Sequence, residues 1–233
     1  TVRSHAALRR ASESSLLRKA LCHAAFSQAP AKTGKGGAAL AGLHIGSKET
    51  VPRRLTLSTI PRASSAIPGE PPHFGSVLAH QPELAARFFA LYGRFWDSNV
   101  VPARVKEVAR MRNARVTECG FCRQVRFDKA LGEGLGEEVV DDITDGYERS
   151  ARLTEAEKAA LKFTDALIHD PALLDRDARA ALHRHFTPAQ IAELGLGVSL
   201  FLALAKALIT MGLEPEAMER TVLPTPRLAE PAL

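Results

Sequence analysis

Three cysteines in 233 residues are too few for a disulfide framework. Aromatic residues make up only 6% of the chain, and no helix-turn-helix, zinc-finger or aromatic base-stacking motif is present, so a nucleic-acid reader is not expected. There is no collagen-like period and no short repeat. Clean apolar runs of the ~18–20 residues that a membrane span requires are missing. The nearest candidate, Leu194 to Met211, is interrupted by Lys206, Gly195, Gly197 and Ser199; it reads as a buried helix, and no membrane partner is expected. Val-rich alternation is also missing, so no β-strand is predicted. No metal, flavin or nicotinamide motif stands out, and no cofactor is expected.

Acidic residues are scarce in one place only. Residues 1–50 hold eight of the 31 basic and two of the 26 acidic residues. The other 183 carry 23 basic and 24 acidic groups, so the body of the protein is neutral and the net charge of +5 belongs to one end. That end is rich in Ala, Ser, Gly and Arg. Leu8 to Phe26 could form a short basic amphipathic helix. Such composition is shared by organelle transit peptides and by disordered extensions; the second reading is preferred, with a cytoplasmic location expected and organelle targeting by residues 1–50 left open.

With 45% apolar and 24% charged residues, the rest can bury a real core. The organisation expected is a disordered or extended segment over 1–75, a helical domain over 76–219 and an irregular tail over 220–233. About seven helices are predicted in an all-α bundle. Pro82 opens the first, with Leu84, Phe88, Leu91, Phe95 and Trp96 as a core or subunit-contact stripe; Tyr92 and Trp96 could line a pocket, although core or subunit contact is the commoner role. Ala103 to Arg115 form the second. Thr117 caps a third from Glu118 to Leu131, which Gly132 ends. A fourth covers Glu137 to Thr144. Thr154 and Glu157 make a capping box for a fifth, which runs to His169. A sixth spans Asp175 to His185. Thr187, Pro188 and Gln190 open the last and longest, which ends near Gly212.

The chemistry sits at Cys119-Gly120-Phe121-Cys122. On a helix these cysteines share one face, with Cα atoms ~5–6 Å apart, inside disulfide range. Near a helix N-terminus, Cys119 gains thiolate character from unpaired backbone N–H groups. The same predicted face continues to Arg126 and Lys129, and positive charge lowers thiol pKa values. Other readings stay open. The cysteines could be buried packing residues. They could be half of a zinc site with His183 and His185. A thioredoxin-type motif would need a βαβ context that is not predicted. Glu107, twelve residues before Cys119, could be a surface acid paired with Arg104 or Arg110. Folded onto the cysteine helix as a hairpin, it could accept a thiol proton.

Residues from about 84 to 215 resemble the carboxymuconolactone decarboxylase superfamily, and within it the alkylhydroperoxidase D-like branch. The resemblance rests on Glu107, eleven intervening residues, Cys119 and Cys122, and then the run Ala130-Leu131-Gly132 with Gly134 and Leu135 before Glu137. It implies an all-α fold, a homo-oligomer (trimer or hexamer), and a thiol-dependent peroxidase or disulfide oxidoreductase. In that reading Cys122 attacks a small-molecule peroxide, Cys119 resolves the product to a disulfide, Glu107 accepts a proton and an external dithiol regenerates both thiols. Helix position taken alone favours Cys119 as the thiolate. The family's histidine four positions after the second cysteine falls on Arg126, and a second one falls on Phe121. Arginine holds its proton at any working pH, so Arg126 can stabilise a thiolate but cannot relay a proton. Replacing Arg126 by Met is then expected to slow alkylation. The alternative is a non-redox lyase or small-molecule binding protein of the same fold, with vestigial cysteines.

Overall fold

The computed structural model describes residues 61–215 and 218–227. The N-terminal segment, with its possible helix over Leu8 to Phe26 and with Cys22, lies outside them. Nine α-helices and two short strands follow one another among the described residues: α1 (Phe74–Leu78), α2 (Pro82–Asp97), α3 (Ala103–Val116), α4 (Gly120–Gln124), β1 (Val125–Phe127), α5 (Asp128–Gly132), α6 (Glu137–Asp141), α7 (Glu155–Ile168), α8 (Arg176–His185), α9 (Pro188–Thr210) and β2 (Thr221–Leu223). The all-α class expected from the helical periodicity holds, with one small parallel sheet added.

Local chemistry explains most helix ends. The capping boxes at Thr154/Glu157 and Thr187/Gln190 both form, each satisfying two otherwise orphaned N–H groups. Pro82 and Pro188 occupy first turns, where the missing N–H costs nothing. His169 ends α7 as its C-cap.

The bundle is built around α3, which packs against α7 and α9. Eleven of its fourteen residues are buried, and five of those are polar or charged: Lys106, Glu107, Arg110, Arg112 and Asn113. Each buried charge therefore needs partners. Lys106 donates to the carbonyls of Phe95 and Ser98 and to Glu193, tying the end of α2 to α9. Arg112 holds Asp165 of α7. Apolar packing closes the space between, with the Trp96 ring against those of Phe95, Phe127 and Phe201, and Phe95 against Phe201. A Cβ on Gly197 would run into the Phe95 ring, so only glycine allows α9 this close to α2.

The third helix predicted from the sequence, Glu118 to Leu131, does not form as one piece. Glu118 takes a positive φ of 55°, which separates α3 from α4. Thr117 closes α3 instead of opening α4; its hydroxyl donates to the Asn113 carbonyl. After Gln124 the chain extends into β1, which pairs in parallel with β2: Val125 opposite Thr221, Arg126 opposite Val222 and Phe127 opposite Leu223. The α4 helix can stop because guanidinium groups take over its last carbonyls. Arg110 donates to the carbonyls of Cys122 and Val125, and Arg126 to those of Arg123 and Val125. Residues 221–223, expected in an irregular tail, are the strand that completes this pair.

The α9 helix is the one described helix long and apolar enough to cross a bilayer. Leu194, Val198, Phe201, Leu204, Ala205 and Leu208 bury one of its faces in the bundle, while Leu196 stays exposed.

Candidate functional site

Cys119 is the N-cap of α4, not a member of its first turn. Its sulfur accepts the backbone N–H of Cys122 at 3.5 Å. The Cys122 thiol donates to the same sulfur, and these two bonds hold the Cys119 thiol below its usual value, against burial and the negative charge of Glu214. Cys122 moves the opposite way. Its bond to Cys119, burial and the adjacent sulfur charge push it well above the ordinary value, while Arg110 pulls it down. The pair therefore loses its first proton from Cys119 more easily than its second from Cys122.

Access separates the two cysteines. Cys119 is fully buried and Cys122 half-buried. Cys122 lines a pocket of about 20 Å³, room for about one water. Its walls are Tyr92 of α2, Arg110 and Asn113 of α3, Phe121, Val125, Phe127, three residues of α9 (Phe201, Leu204 and Leu208) and Leu223 of β2. Burial pushes the Tyr92 phenol above its ordinary value, so its hydroxyl stays neutral.

Glu107 faces inward, 1% exposed, on the side of α3 toward α4 and β1. Arg110 grips it in a bidentate pair, Nε to Oε2 at 2.7 Å and Nη2 to Oε1 at 2.6 Å. The Phe127 N–H adds a bond to Oε1 at 3.3 Å. Glu107 accepts from neither cysteine; Arg110 links it to them, through Nη1 on the Cys122 carbonyl at 2.9 Å. Of the two partners weighed for Glu107, Arg110 is the one present, and the pair is buried where a surface pair was the simplest expectation.

Arg126 does not extend the face of the cysteine helix, because it lies on β1. It forms a bidentate pair with Glu137 at 2.8 and 3.0 Å and is 3% exposed. The charges that act on the sulfur pair are those of Arg110 and Glu214. Lys129, also placed on that face by a continuous helix, reaches Asn99 instead. Phe121 lines the pocket as an apolar wall. His183 and His185, weighed as zinc ligands, are exposed in the last turn of α8.

Two site residues escaped the sequence reading. Arg110 was visible only as a partner of Glu107, three residues away. Glu214 had no signal at all. It is 2% exposed and accepts the Gly120 N–H at 2.5 Å. Its position comes from the end of α9, where Gly212 takes a φ of +66° and the Leu213 N–H returns to the Leu208 carbonyl, turning the chain back toward α4.

These features define a helical fold with a dithiol at the edge of a small apolar pocket. No family model matches the chain. It is similar to the debrominase Bmp8, whose cysteine-to-alanine variant is known in complex with 2,3,4-tribromopyrrole: TM-score 0.52, 20% identity, over 61% of this chain and 75% of that one. A weaker likeness, TM-score 0.47 at 19% identity, joins 64% of the chain to 95% of an Agrobacterium tumefaciens protein of unknown function with a suggested AhpD antioxidant-defence role. Two uncharacterised Mycobacterium tuberculosis proteins, Rv2313c and MT2376, are each 33% identical over 88 residues, which is 38% of this chain and 31% of theirs. The match thus spans about a third of the length of these relatives. The debrominase establishes the shared fold alone.

Proposed function

We propose that the chain is a thiol–disulfide oxidoreductase that reduces hydroperoxides at Cys122. The observation that carries this reading is the division of labour between two cysteines joined by the bond from the Cys122 N–H to the Cys119 sulfur, of which only Cys122 meets the pocket. When the pair has lost one proton, Cys119 carries the charge and Cys122 the remaining proton. Transfer of that proton to Cys119 makes Cys122 the thiolate. Its sulfur attacks the distal peroxide oxygen, the O–O bond breaks, and the departing alkoxide takes a proton from solvent to leave as an alcohol. Cys122 is then a sulfenic acid. The Cys119 thiol displaces its hydroxyl as water and the disulfide closes. An external dithiol returns two electrons and two protons. Arg110 stabilises the thiolate throughout, since it never gives up its proton. Glu107 acts through Arg110, as the buried anion that keeps the guanidinium in place.

The size of the pocket favours a small hydroperoxide. Its apolar lining supports a second reading, attack of Cys122 on a halogenated aromatic ring of the kind bound by the debrominase, which requires the walls to open. A homo-oligomer joined through the exposed leucines Leu84 and Leu91 of α2 and Leu196 of α9 fits either reading; light scattering of the purified chain tests it.

The test is intact-mass and peptide mapping after one equivalent of hydrogen peroxide. The expected product is a loss of about 2 Da on the peptide that spans Cys119 and Cys122, reversed by dithiothreitol. In Cys119→Ser, a dimedone-reactive sulfenic acid should persist on Cys122. Retention of both free thiols under excess peroxide would refute the redox reading and leave the non-redox lyase or binding protein.

A further inference from the structure

Ten of the eleven residues that line the Cys122 pocket belong to α2, α3, α9 or the run from α4 through β1; the eleventh, Leu223, comes from β2. A two-stranded parallel pair is too small to hold itself together, and β2 is tied down on both sides. Before it, Arg220 reaches Glu137 at 3.0 Å, the carboxylate that Arg126 of β1 also holds. Beyond it, the Thr225 N–H and hydroxyl both donate to Asp128 Oδ1, at 2.9 and 2.7 Å, and the Lys129 N–H donates to the Thr225 hydroxyl at 3.1 Å. Strand alternation then separates the side chains. Val222 points outward at 55% exposure, while Leu223, opposite Phe127, contributes to the pocket wall.

We propose that β2 is a strap that closes the Cys122 pocket and that Leu223 is its specificity-determining residue, admitting small electrophiles and excluding those with a bulky aryl or branched group next to the reacting atom. In the peroxidase reading, on which the choice of natural substrate rests, this assigns hydrogen peroxide and short unbranched alkyl hydroperoxides to the site and excludes aryl hydroperoxides. The wall itself can be tested without that reading, because any thiol reagent must pass it.

The experiment compares Cys122 labelling by iodoacetamide and by N-phenylmaleimide in the full chain, quantified by peptide mapping, for wild type, Leu223→Ala and Val222→Ala. The ratio of the two rates cancels any change in thiolate fraction, since both reagents need the same anion. Leu223→Ala should raise the N-phenylmaleimide to iodoacetamide ratio on the order of tenfold, the scale of a few methylenes in an apolar pocket, and Val222→Ala should leave it at the wild-type value. Equal ratios in the three proteins would overturn the proposal. If Leu223→Ala unfolds, both reagents accelerate together and buried Cys119 becomes labelled. Leu223→Val then decides, with a smaller shift of the same sign expected and an unchanged ratio overturning the wall. In a parallel arm, Leu223→Ala should gain turnover of cumene hydroperoxide relative to hydrogen peroxide. A wild type that consumes neither peroxide would refute the peroxidase reading, and the labelling ratio would then decide the role of Leu223 by itself.

Discussion

Replacing Arg110 by Met tests the electrostatic frame of the site most directly. The guanidinium is 4% exposed and its partner Glu107 1%, so solvent screens little of what is lost. Removing it leaves the Glu107 carboxylate buried with a single 3.3 Å bond from the Phe127 N–H. Breaking a buried pair in this way costs about 3–5 kcal/mol. The Val125 carbonyl keeps Arg126 as a donor at 2.9 Å. The Cys122 carbonyl loses the Arg110 donor, which adds about 1–3 kcal/mol. The sum is a large fraction of the ~5–15 kcal/mol that holds a domain together, and it should appear as a lower urea midpoint with little change in slope. Glu107→Leu combined with Arg110→Met removes both charges. That variant should recover most of the loss and keep only the carbonyl cost, about 1–3 kcal/mol. The thiols respond too: without the cation, alkylation of Cys122 near neutral pH should slow by about tenfold. An Arg110→Met protein within about 1 kcal/mol of wild type, or a double variant no better than the single one, would refute the reasoning.

Glu214→Gln keeps an acceptor for the Gly120 N–H and removes the charge that raises both thiols. Alkylation and peroxide oxidation should accelerate below pH 8, and a pH–rate profile identical to wild type would exclude a role for that charge. Arg126→Met should destabilise the chain by about 1–3 kcal/mol, because the Arg123 carbonyl loses a donor, while Glu137, one-third exposed, keeps Arg220. Labelling of Cys122 by iodoacetamide should barely change in folded Arg126→Met, the reverse of the Arg110 result and of the expectation drawn from the sequence; a slowed reaction would restore Arg126 to the site. Burial acts against ionised Asp128, but the hydrogen bonds from the Thr225 hydroxyl and N–H outweigh it and hold the carboxyl below its ordinary value. A depressed carboxyl stabilises the folded state above its unfolded value and stops doing so as acid protonates it. Hydrogen-exchange protection of β2 should therefore be full at neutral pH and fall below about pH 4, and protection unchanged at pH 3 would count against this anchor.

Helix positions were legible because their signals are local. The boxes at Thr154/Glu157 and Thr187/Gln190 work over three residues, and both form. The break at Glu118 was not legible for the opposite reason. Gly120 to Gly132 contains no proline, and its composition suits a helix. What stops α4 is a set of donors from elsewhere, Arg110 from the previous helix and Arg126 folding back, together with a strand partner 96 residues downstream. Glu214 is hidden in the same way: it reaches Gly120 across 94 residues, and nothing in Leu213-Glu214-Pro215 announces a buried acid. The spacing from Glu107 to Cys119 carried no sign that Arg110 would stand between Glu107 and the cysteine helix.

That interposed arginine bears on how the proposed dithiol chemistry can work with phenylalanine at 121 and arginine at 126. A relay histidine does two things: it moves a proton, and it presents positive charge while it holds one. In the proposed redox reading the two tasks fall to different groups. Arg110 supplies charge that does not vary across the working pH range, held by Glu107 so that the buried cation is never unpaired. Proton transfer falls to the sulfurs, one hydrogen bond apart. In that reading a fixed field stands where a titrating relay would, and the proton that moves is shared by the two sulfurs that close the disulfide.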